Sequence, residues 1–405
     1  MQIGNSSITR PVSIVGRSII DKSIIDKLHE SHPEWKLTAD SFCCLGKQAS
    51  GRVYWRINLA NARSVDERSG DAQEEYPDSL VLMQIPDNLG GEITSSSKQP
   101  KDSMQANFTS IARLLAKNDI LVPSILSEST SPDFLIIDDL GETTLEKFVK
   151  QSSEQQISHS YECAVKILTQ FQSRLFPMPK ETVSCESGLD PTTYPLQPIC
   201  YRRQYEAKLL MAELDHFTEW LVNEGLDHHF SNDETAVLDN LFQEIVTDIC
   251  KQPKTLIHRD YQSRNIMLSP RSLDLVLIDF QDAMIGPCVY DLVALLQDSY
   301  IELSPSQIEN LMHAFYDNTT HFNSYEDFET AFWTQTVQRK LKDAGRFVYI
   351  DRKRNDPSFL THIPRSIRCV QRALTHLSGK GVSWADSLNT MLLPIFNQAI
   401  SHYKA

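Results

Sequence analysis

Alternation of apolar and polar residues in the first third of the chain predicts a small lobe that mixes strands with helices. Isoleucine and leucine recur at helical spacing within residues 19–30, and a second run of this kind covers Asn107–Lys117. Residues 41–60 alternate and are rich in aromatic and β-branched side chains, so we expect two strands joined by a turn at Gly46–Gly51. Short apolar runs predict two further strands, at Leu80–Ile85 and Phe134–Ile137.

Beyond Thr144 the spacing of apolar residues is mainly helical, which predicts a second and larger lobe. Two short strands are expected on either side of residues 259–265. The predicted helices of this lobe are 144–150, 157–175, 201–225, 233–250, 288–300, 306–317, 326–349, 364–378 and 383–402.

These elements predict an α+β fold with a small mixed α/β N-lobe and a larger, mainly helical C-lobe. The predicted organisation in chain order is a helical extension at 1–34, the N-lobe at 35–141 and the C-lobe at 142–405. Two polar stretches interrupt the N-lobe pattern, at 61–79 and 90–102, and we interpret both as insertions.

Composition excludes several classes of protein. Hydrophobic residues make up 41% and charged residues 23% of the 405 residues, which is ordinary for a globular chain and excludes disorder throughout. The formal net charge of −14 disfavours a nucleic-acid partner, because phosphate contacts need clustered cations. The longest apolar runs are far shorter than the roughly 18 residues of a membrane span, so no membrane partner is expected. The eight cysteines lack zinc spacing and the N-terminus lacks a secretory apolar region, which favours the cytoplasm.

One segment carries the residue types that phosphoryl transfer requires. His258, Arg259 and Asp260 are adjacent, Asn265 follows five residues after the aspartate, and an apolar strand then ends at Asp279. The reaction needs a carboxylate that accepts or orients the proton of the attacking hydroxyl, and oxygen ligands that hold Mg²⁺ against the nucleotide phosphates. A loop between two short strands can deliver both. We therefore expect Asp260 as the catalytic residue and Asn265 and Asp279 as the metal ligands.

This segment resembles a known superfamily of small-molecule kinases. His258–Asn265 together with Ile278–Asp282 is similar to the aminoglycoside phosphotransferase/choline kinase superfamily. The longer run 279–300, DFQDAMIGPCVYDLVALLQDSY, most resembles the bacterial N-acetylmuramate/N-acetylglucosamine anomeric kinases, and the segments 49–56 and 134–141 agree with that family. The resemblance implies a protein-kinase-like bilobal fold, Mg²⁺, and ATP as the co-substrate. It also implies transfer of the γ-phosphoryl group to the anomeric hydroxyl of an N-acetyl amino sugar.

Further site residues are expected around this segment. The Gly46–Gly51 turn and the segment that follows the 134–137 strand are expected at the nucleotide, where the candidates are Lys47, Ser50, Arg52, Asp139 and Leu140. Polar side chains beside the reactive loop are candidates for the acceptor, namely Tyr261, Arg264, Gln281 and Asp282. His258 and Asp291 are expected to support the loop, because a buried polar group needs a partner.

Several departures leave alternatives open. The third strand, Leu82–Pro86, lacks the lysine that protein kinases carry, so Lys47, Arg52 and Arg56 are alternatives for the cation at the phosphates. A different hydroxylated acceptor, such as an aminoglycoside or a choline-like alcohol, is one alternative function. A nucleotide-binding scaffold without turnover is another, motivated by Gln48, Val53 and Gln84.

Two features outside the motif are interpreted as structural. We interpret the basic stretch Arg339–Arg354 as a solvated helix face, because charged runs on a helix usually face water. We interpret Trp220 as a core side chain in preference to a stacking platform for a sugar ring.

Overall fold

The computed structural model describes the greater part of the chain and divides it into two compact units. The described residues are 20–47, 52–59, 78–85, 102–130, 133–177 and 198–404. The first unit comprises Met1–Gln105 and Ser124–Asp139, and the second comprises Ala106–Pro123 and Leu140–Ala405. Residues 106–123 therefore group with the mainly helical unit, whereas the sequence analysis assigned them to the N-lobe. Most residues of the two predicted insertions, at 61–79 and 90–102, lie outside the described residues. Ser50, a predicted nucleotide contact, also lies outside them.

The first unit is built on an antiparallel five-stranded sheet with the strand order β1-β2-β3-β5-β4. Its strands are β1 (Phe42–Lys47), β2 (Val53–Asn58), β3 (Ser79–Gln84), β4 (Ile125–Thr130) and β5 (Asp133–Asp138). The strands β3 and β5 are buried along their central residues, as their continuous apolar sequences predict. The strand β4 was not predicted, because its alternating sequence ILSEST carries few large apolar residues.

The described part of the predicted N-terminal extension, residues 20–34, contributes to this unit's core. Helix α1 (Lys22–Ser31) begins after Asp21, whose side chain accepts a hydrogen bond from the Ser23 N–H and so caps the helix. The apolar face of α1 packs with the sheet in one buried cluster, which contains Ile20, Ile24, Leu28, Trp35, Leu37, Trp55, Ile57, Leu59, Leu80, Leu82, Phe134 and Ile136. Burial of this face is the main stabilising contribution to the helix.

The second unit is mainly helical. Helix α2 (Asp102–Lys117) belongs to this unit from Ala106 onward. The other helices of the unit are α3 (Leu145–Val149), α4 (Glu154–Leu175), α5 (Ile199–Arg202), α6 (Ala207–His216), α7 (Asn232–Lys251), α8 (Tyr290–Leu296), α9 (Pro305–Tyr316), α10 (Tyr325–Arg354), α11 (Ile363–Gly379) and α12 (Ser383–His402). Capping boxes fix the starts of α4, α7 and α9, because a serine and a Glu or Gln three residues later satisfy each other's backbone N–H groups. Among the described residues, no helix is long and apolar enough to cross a membrane.

Two short antiparallel ribbons lie within the second unit. One pairs β6 (Lys254–Ile257) with β9 (Met284–Pro287), and the other pairs β7 (Ile266–Leu268) with β8 (Leu275–Leu277). In the first ribbon Ile257 lies opposite Met284, and in the second Ile266 lies opposite Leu277. The two predicted strands around 259–265 correspond to β6 and β7.

The predicted helix at 201–225 is wrong in detail. The chain forms α5, leaves the helix at Arg203–Glu206, and then continues from α6 into a wider π-helical stretch at Phe217–Gly225. The start of this stretch packs closely on α10: a Cβ atom built on Gly345 would lie 2.8 Å from the Phe217 Cα atom and 2.5 Å from the carbonyl oxygen of the preceding His216. Glycine is needed there because any larger side chain would force two backbones apart.

Candidate active site

The two reactive segments run side by side within the second unit. Residues 258–265 connect β6 of the first ribbon to β7 of the second. Residues 278–283 connect β8 of the second ribbon back to β9 of the first. The Ile278 N–H donates a hydrogen bond of 3.0 Å to the Asn265 carbonyl oxygen. Pairing of two short ribbons therefore holds Asp260, Asn265 and Asp279 in one small region.

Asp260 is partly open to solvent and surrounded by cations. Its side chain is 41% exposed, and its Oδ1 lies 3.7 Å from Nη2 of Arg339, a side chain that is only 1% exposed. Desolvation of Asp260 opposes ionisation, but the charges of Arg339, Lys342 and Arg259 outweigh it and hold the pKa of this carboxyl below its usual range. The carboxylate is therefore ionised at neutral pH and is suited to accept a proton.

Asn265 and Asp279 present oxygen atoms of the kind that a hard cation prefers. The Asn265 Nδ2 donates 2.9 Å to the Asp260 carbonyl oxygen, which leaves Oδ1 as the donor atom for a cation. Asp279 adopts a left-handed backbone conformation (φ 64°), and its Oδ1 accepts 2.7 Å from Gln281 Nε2. Within the described ranges, no three or more His, Cys, Asp or Glu side chains converge as a metal cluster. An amide and a carboxylate fit Mg²⁺, which usually keeps waters and phosphate oxygens as its remaining ligands.

Asp291, at the start of α8, holds the backbone of the reactive loop. Its two carboxyl oxygens accept from the His258 N–H at 2.6 Å and the Arg259 N–H at 2.9 Å. Arg259 has a positive φ of 80°, a strained conformation that these bonds stabilise. Burial raises the pKa of Asp291 to about 7, although both N–H donors act in the opposite direction. Burial lowers the pKa of His258 to about 4, so its ring is neutral at physiological pH.

Two of the predicted acceptor contacts, Tyr261 and Arg264, form contacts with other parts of the protein. Tyr261 is fully buried and its hydroxyl donates 2.8 Å to the Ala164 carbonyl oxygen, so it is not placed to reach an acceptor. Arg264 donates 2.6 Å from Nε to Glu146 and stacks 3.4 Å over the Tyr300 ring. Both side chains fix the loop to neighbouring helices, and these contacts argue against their prediction as acceptor contacts.

The other two predicted acceptor residues differ in exposure. Gln281 is buried and orients Asp279, and its own carbonyl oxygen accepts 3.0 Å from Arg203 Nη1. Asp282 keeps 52% of its side chain exposed and lies 3.9 Å from the same guanidinium. Of the four predicted residues, Asp282 is therefore the one best placed for a polar contact with a small molecule.

The predicted nucleotide contacts lie mainly in the first unit. Lys47 is the last residue of β1 and pairs in register with Val53. Asp139 accepts from Arg56 Nε at 2.6 Å and from Ser79 Oγ at 2.7 Å, so Arg56 is committed to an ion pair. Leu140 belongs to the second unit, at the start of its segment Leu140–Ala405, and is partly exposed.

Arg52 of the first unit is buried without full hydrogen bonding. Its side chain is 3% exposed, and its Nε and Nη1 have no hydrogen-bond partner in the described structure.

Two cations of α10, Arg339 and Lys342, act on the reactive loop and were not predicted from the sequence. Arg339 donates 3.1 Å to the Arg259 carbonyl oxygen in addition to its contact with Asp260. Lys342 donates 3.2 Å to the Tyr290 hydroxyl, and Lys340 is 1% exposed. The interpretation of Arg339–Arg354 as a solvated face is therefore wrong for the first part of that stretch. Trp220 is 8% exposed, in agreement with its interpretation as a core side chain.

Comparison with known proteins identifies the family. The profile of the phosphotransferase enzyme family matches residues 77–326, more than half of the chain. The chain belongs to the phosphotransferase enzyme family. This phosphotransferase is accordingly an ATP-dependent enzyme, which disfavours the alternative of a scaffold without turnover.

Two bacterial relatives share the name N-acetylmuramate/N-acetylglucosamine kinase. The protein from Pseudomonas putida is 28% identical over 263 residues, which cover 64% of this phosphotransferase and 70% of the relative. The protein from Pseudomonas aeruginosa is 28% identical over 272 residues, which cover 66% and 72% of the two chains.

Solved structures confirm the predicted kinase-like α+β fold. A Plasmodium vivax ethanolamine kinase superposes with a TM-score of 0.52 at 13% identity, covering 89% of this chain and 92% of that one. An ADP-bound aminoglycoside phosphotransferase superposes with a TM-score of 0.51 at 14% identity, covering 87% and 97%. At these identities the likeness is one of fold.

From these contacts we expect Arg339 to act as a positioning residue for the phosphotransferase, and its replacement tests that role. Arg339→Gln removes a buried charge that contacts both the Asp260 carboxylate and the loop backbone. Loss of a charged hydrogen-bond partner costs about 1.5–3 kcal/mol, so we expect kcat to fall roughly 10- to 100-fold. Arg339→Lys, which keeps the charge, should recover part of the loss. Equal kcat values for the two variants, with thermal unfolding unchanged, would contradict the electrostatic role.

Proposed function

We propose that this enzyme transfers the γ-phosphoryl group of ATP to an N-acetyl amino sugar, with the anomeric hydroxyl as the acceptor. The observation that carries the chemistry is the placement of residues 258–265 beside 278–283, which groups Asp260 with Asn265 and Asp279. The names of the relatives support an amino sugar as the acceptor. The run 279–300, which resembles the anomeric kinases, supports the position of transfer.

Asp260 acts on the acceptor hydroxyl in this proposal. The ionised carboxylate takes the hydroxyl proton while the hydroxyl oxygen forms a bond to the γ-phosphorus. The bond between the γ-phosphorus and the β–γ bridging oxygen breaks, and ADP leaves. Arg339 keeps Asp260 ionised, and the bonds from His258 and Arg259 to Asp291 keep the loop in position.

Asn265 and Asp279 are the proposed ligands of Mg²⁺. The Asn265 amide presents Oδ1, and Gln281 fixes the orientation of the Asp279 carboxylate. When bound, the ion neutralises negative charge on the nucleotide phosphates. Asp282, three residues after Asp279 and half exposed, is the proposed polar contact to the sugar.

Among the described residues, Arg52 is the strongest candidate for the cation that contacts the nucleotide phosphates. Arg56 is paired with Asp139, whereas Arg52 keeps buried and unpartnered N–H groups. Two buried guanidinium nitrogens without partners are costly unless an anion completes their hydrogen bonds. Lys47, Ser50, Leu140 and the backbone near Asp139 stay as proposed contacts on the nucleotide.

Replacement of Arg52 should weaken the use of ATP. Because a hydrogen bond to a charged group contributes about 1.5–3 kcal/mol, we expect Arg52→Gln to raise the KM for ATP roughly 10- to 100-fold. Steady-state kinetics at saturating acceptor measure this effect. Lys36→Gln, which removes an exposed cation of the same unit, is the control and should leave KM unchanged. An unaltered KM in Arg52→Gln would exclude it as the phosphate contact.

The position of transfer can be tested on the product. Phosphorylation of the anomeric hydroxyl closes the reducing end of the sugar, whereas phosphorylation of any other hydroxyl leaves the reducing end open. We therefore expect reducing-sugar signal to disappear in a one-to-one ratio with ADP formed. ADP formation with the reducing end intact would keep the enzyme class and refute the anomeric assignment.

A further inference from the structure

The face of α10 that meets the reactive loop carries one more cation. Arg339, Lys342 and Arg346 follow one another at spacings of three and four residues, which places them on one face of the helix. The first contacts Asp260 and the second the Tyr290 hydroxyl. Arg346 lies one turn beyond Lys342 on this face, in keeping with smaller contributions from Asp260, which raises the pKa of Arg346, and from Arg259, which lowers it.

Arg346 differs from its neighbours in having no anionic partner. Arg259 lies 3.9 Å from Glu213, Arg339 lies 3.7 Å from Asp260, and Lys342 lies 3.8 Å from Asp343. Across the described residues, Arg346 forms neither an ion pair nor a hydrogen bond; its guanidinium carbon lies 4.6 Å over the Tyr349 ring. Burial and the nearby charge of Arg354 lower its pKa, which is the expected effect of a cation without a compensating anion.

Closely packed side chains and backbone lie beside Arg346. The Tyr349 ring beneath it packs edge-on against Trp220 at 4.9 Å and lies 5.2 Å from His216. Gly345 brings the helix into close contact with the backbone at His216. Burial lowers the pKa of His216 to about 4, so this ring adds no second positive charge. The contact with this packed ring limits the orientations of the guanidinium, which reduces the entropic cost of binding an anion.

We propose that Arg346 binds a carboxylate carried by the acceptor sugar and so determines the preference for an anionic acceptor. The inference rests on the proposed function. A guanidinium presents a planar fork of donors that matches both oxygens of a carboxylate. N-acetylmuramate differs from N-acetylglucosamine by a lactyl ether that bears a carboxylate. Arg346 would therefore distinguish two sugars that share the reacting anomeric hydroxyl.

The test compares kcat/KM for the two sugars in wild type, Arg346→Gln and Arg346→Lys. In Arg346→Gln we expect the ratio of kcat/KM for N-acetylmuramate to that for N-acetylglucosamine to fall about 10- to 100-fold, the range for one charged contact. Arg346→Lys should give an intermediate ratio, because it keeps the charge and loses the fork. Arg352→Gln, with a 54% exposed side chain on the same helix, is the matched control and should keep the wild-type ratio.

Each other outcome would overturn the assignment. If Arg346→Gln lowers kcat/KM equally for both sugars, Arg346 acts on the transferring phosphate or on the loop. If the variant keeps both the wild-type ratio and the wild-type rates, Arg346 contacts neither the sugar carboxylate nor the phosphate. If the wild-type enzyme phosphorylates neither sugar, the proposed function is overturned together with this inference. Turnover of both sugars with an unaltered ratio in Arg346→Gln would overturn this inference alone.

Discussion

Asp260→Asn should lower kcat by about 10²–10⁴-fold, the contribution typical of a positioned general base. The amide has nearly the shape of the carboxylate but cannot take the proton of the acceptor hydroxyl. Nucleotide binding should persist, because Asp260 faces the acceptor in the proposed mechanism. ADP release under saturating substrates measures the rate, and a direct ATP-binding titration measures the retained affinity.

A surface aspartate provides the matched control for this change. Asp274→Asn alters an exposed carboxylate in the turn between β7 and β8 and should keep wild-type turnover. Thermal unfolding of Asp274→Asn should agree with that of wild type, whereas Asp260→Asn should unfold cooperatively at a somewhat lower temperature, because the buried Arg339 loses a charged partner. Asp260→Asn with kcat within about threefold of wild type would refute its assignment as the base.

Asp279→Asn should lower kcat by a similar factor, because it changes a proposed metal ligand where Asp260→Asn changes the proposed base. Stabilisation of developing charge by a bound metal ion contributes several kcal/mol, so removal of the carboxylate ligand should lower kcat at least about 10²-fold. The apparent affinity for Mg²⁺ should fall as well, since a neutral amide would replace the carboxylate, which is the only charged group of the two proposed protein ligands. A titration of turnover against Mg²⁺ at fixed ATP measures both effects.

The two variants separate base from metal ligand. Asp260→Asn should leave the Mg²⁺ concentration for half-maximal rate near the wild-type value, whereas Asp279→Asn should raise it. Asp274→Asn, at the opposite end of the same β8 strand, again serves as the control. An unchanged Mg²⁺ requirement in Asp279→Asn would contradict its proposed role as a metal ligand.

Local sequence predicts that the three proposed central residues lie close together, and the two ribbons do bring their segments side by side. The spacing between Asp260 and Asn265 and the apolar strand before Asp279 are short-range features, and the two ribbons that join them obey simple pairing rules. The anchoring residue Asp291 follows soon after, at the start of α8, so the same run of sequence contains both the reactive groups and the support of the loop.

Long-range packing explains most of what the sequence analysis missed. Arg339 reaches Asp260 from a helix that begins 65 residues after it, and an arginine in a basic run gives no local sign of being buried. Tyr261 and Arg264 sit beside the reactive loop in sequence, but their side chains bind Ala164 and Glu146 on other helices. Adjacency in sequence therefore predicted the position of these residues and failed to predict their contacts.

The measurement that most directly tests the central claim is Mg²⁺-dependent ADP release across a panel of acceptors. The panel contains N-acetylmuramate, N-acetylglucosamine, glucosamine, several aminoglycosides and choline, with Asp260→Asn as the control enzyme. We predict turnover with the two N-acetyl sugars that disappears in Asp260→Asn. Turnover confined to the aminoglycosides or choline would contradict the amino-sugar assignment, and ATP binding without turnover on any acceptor would contradict the proposed kinase reaction.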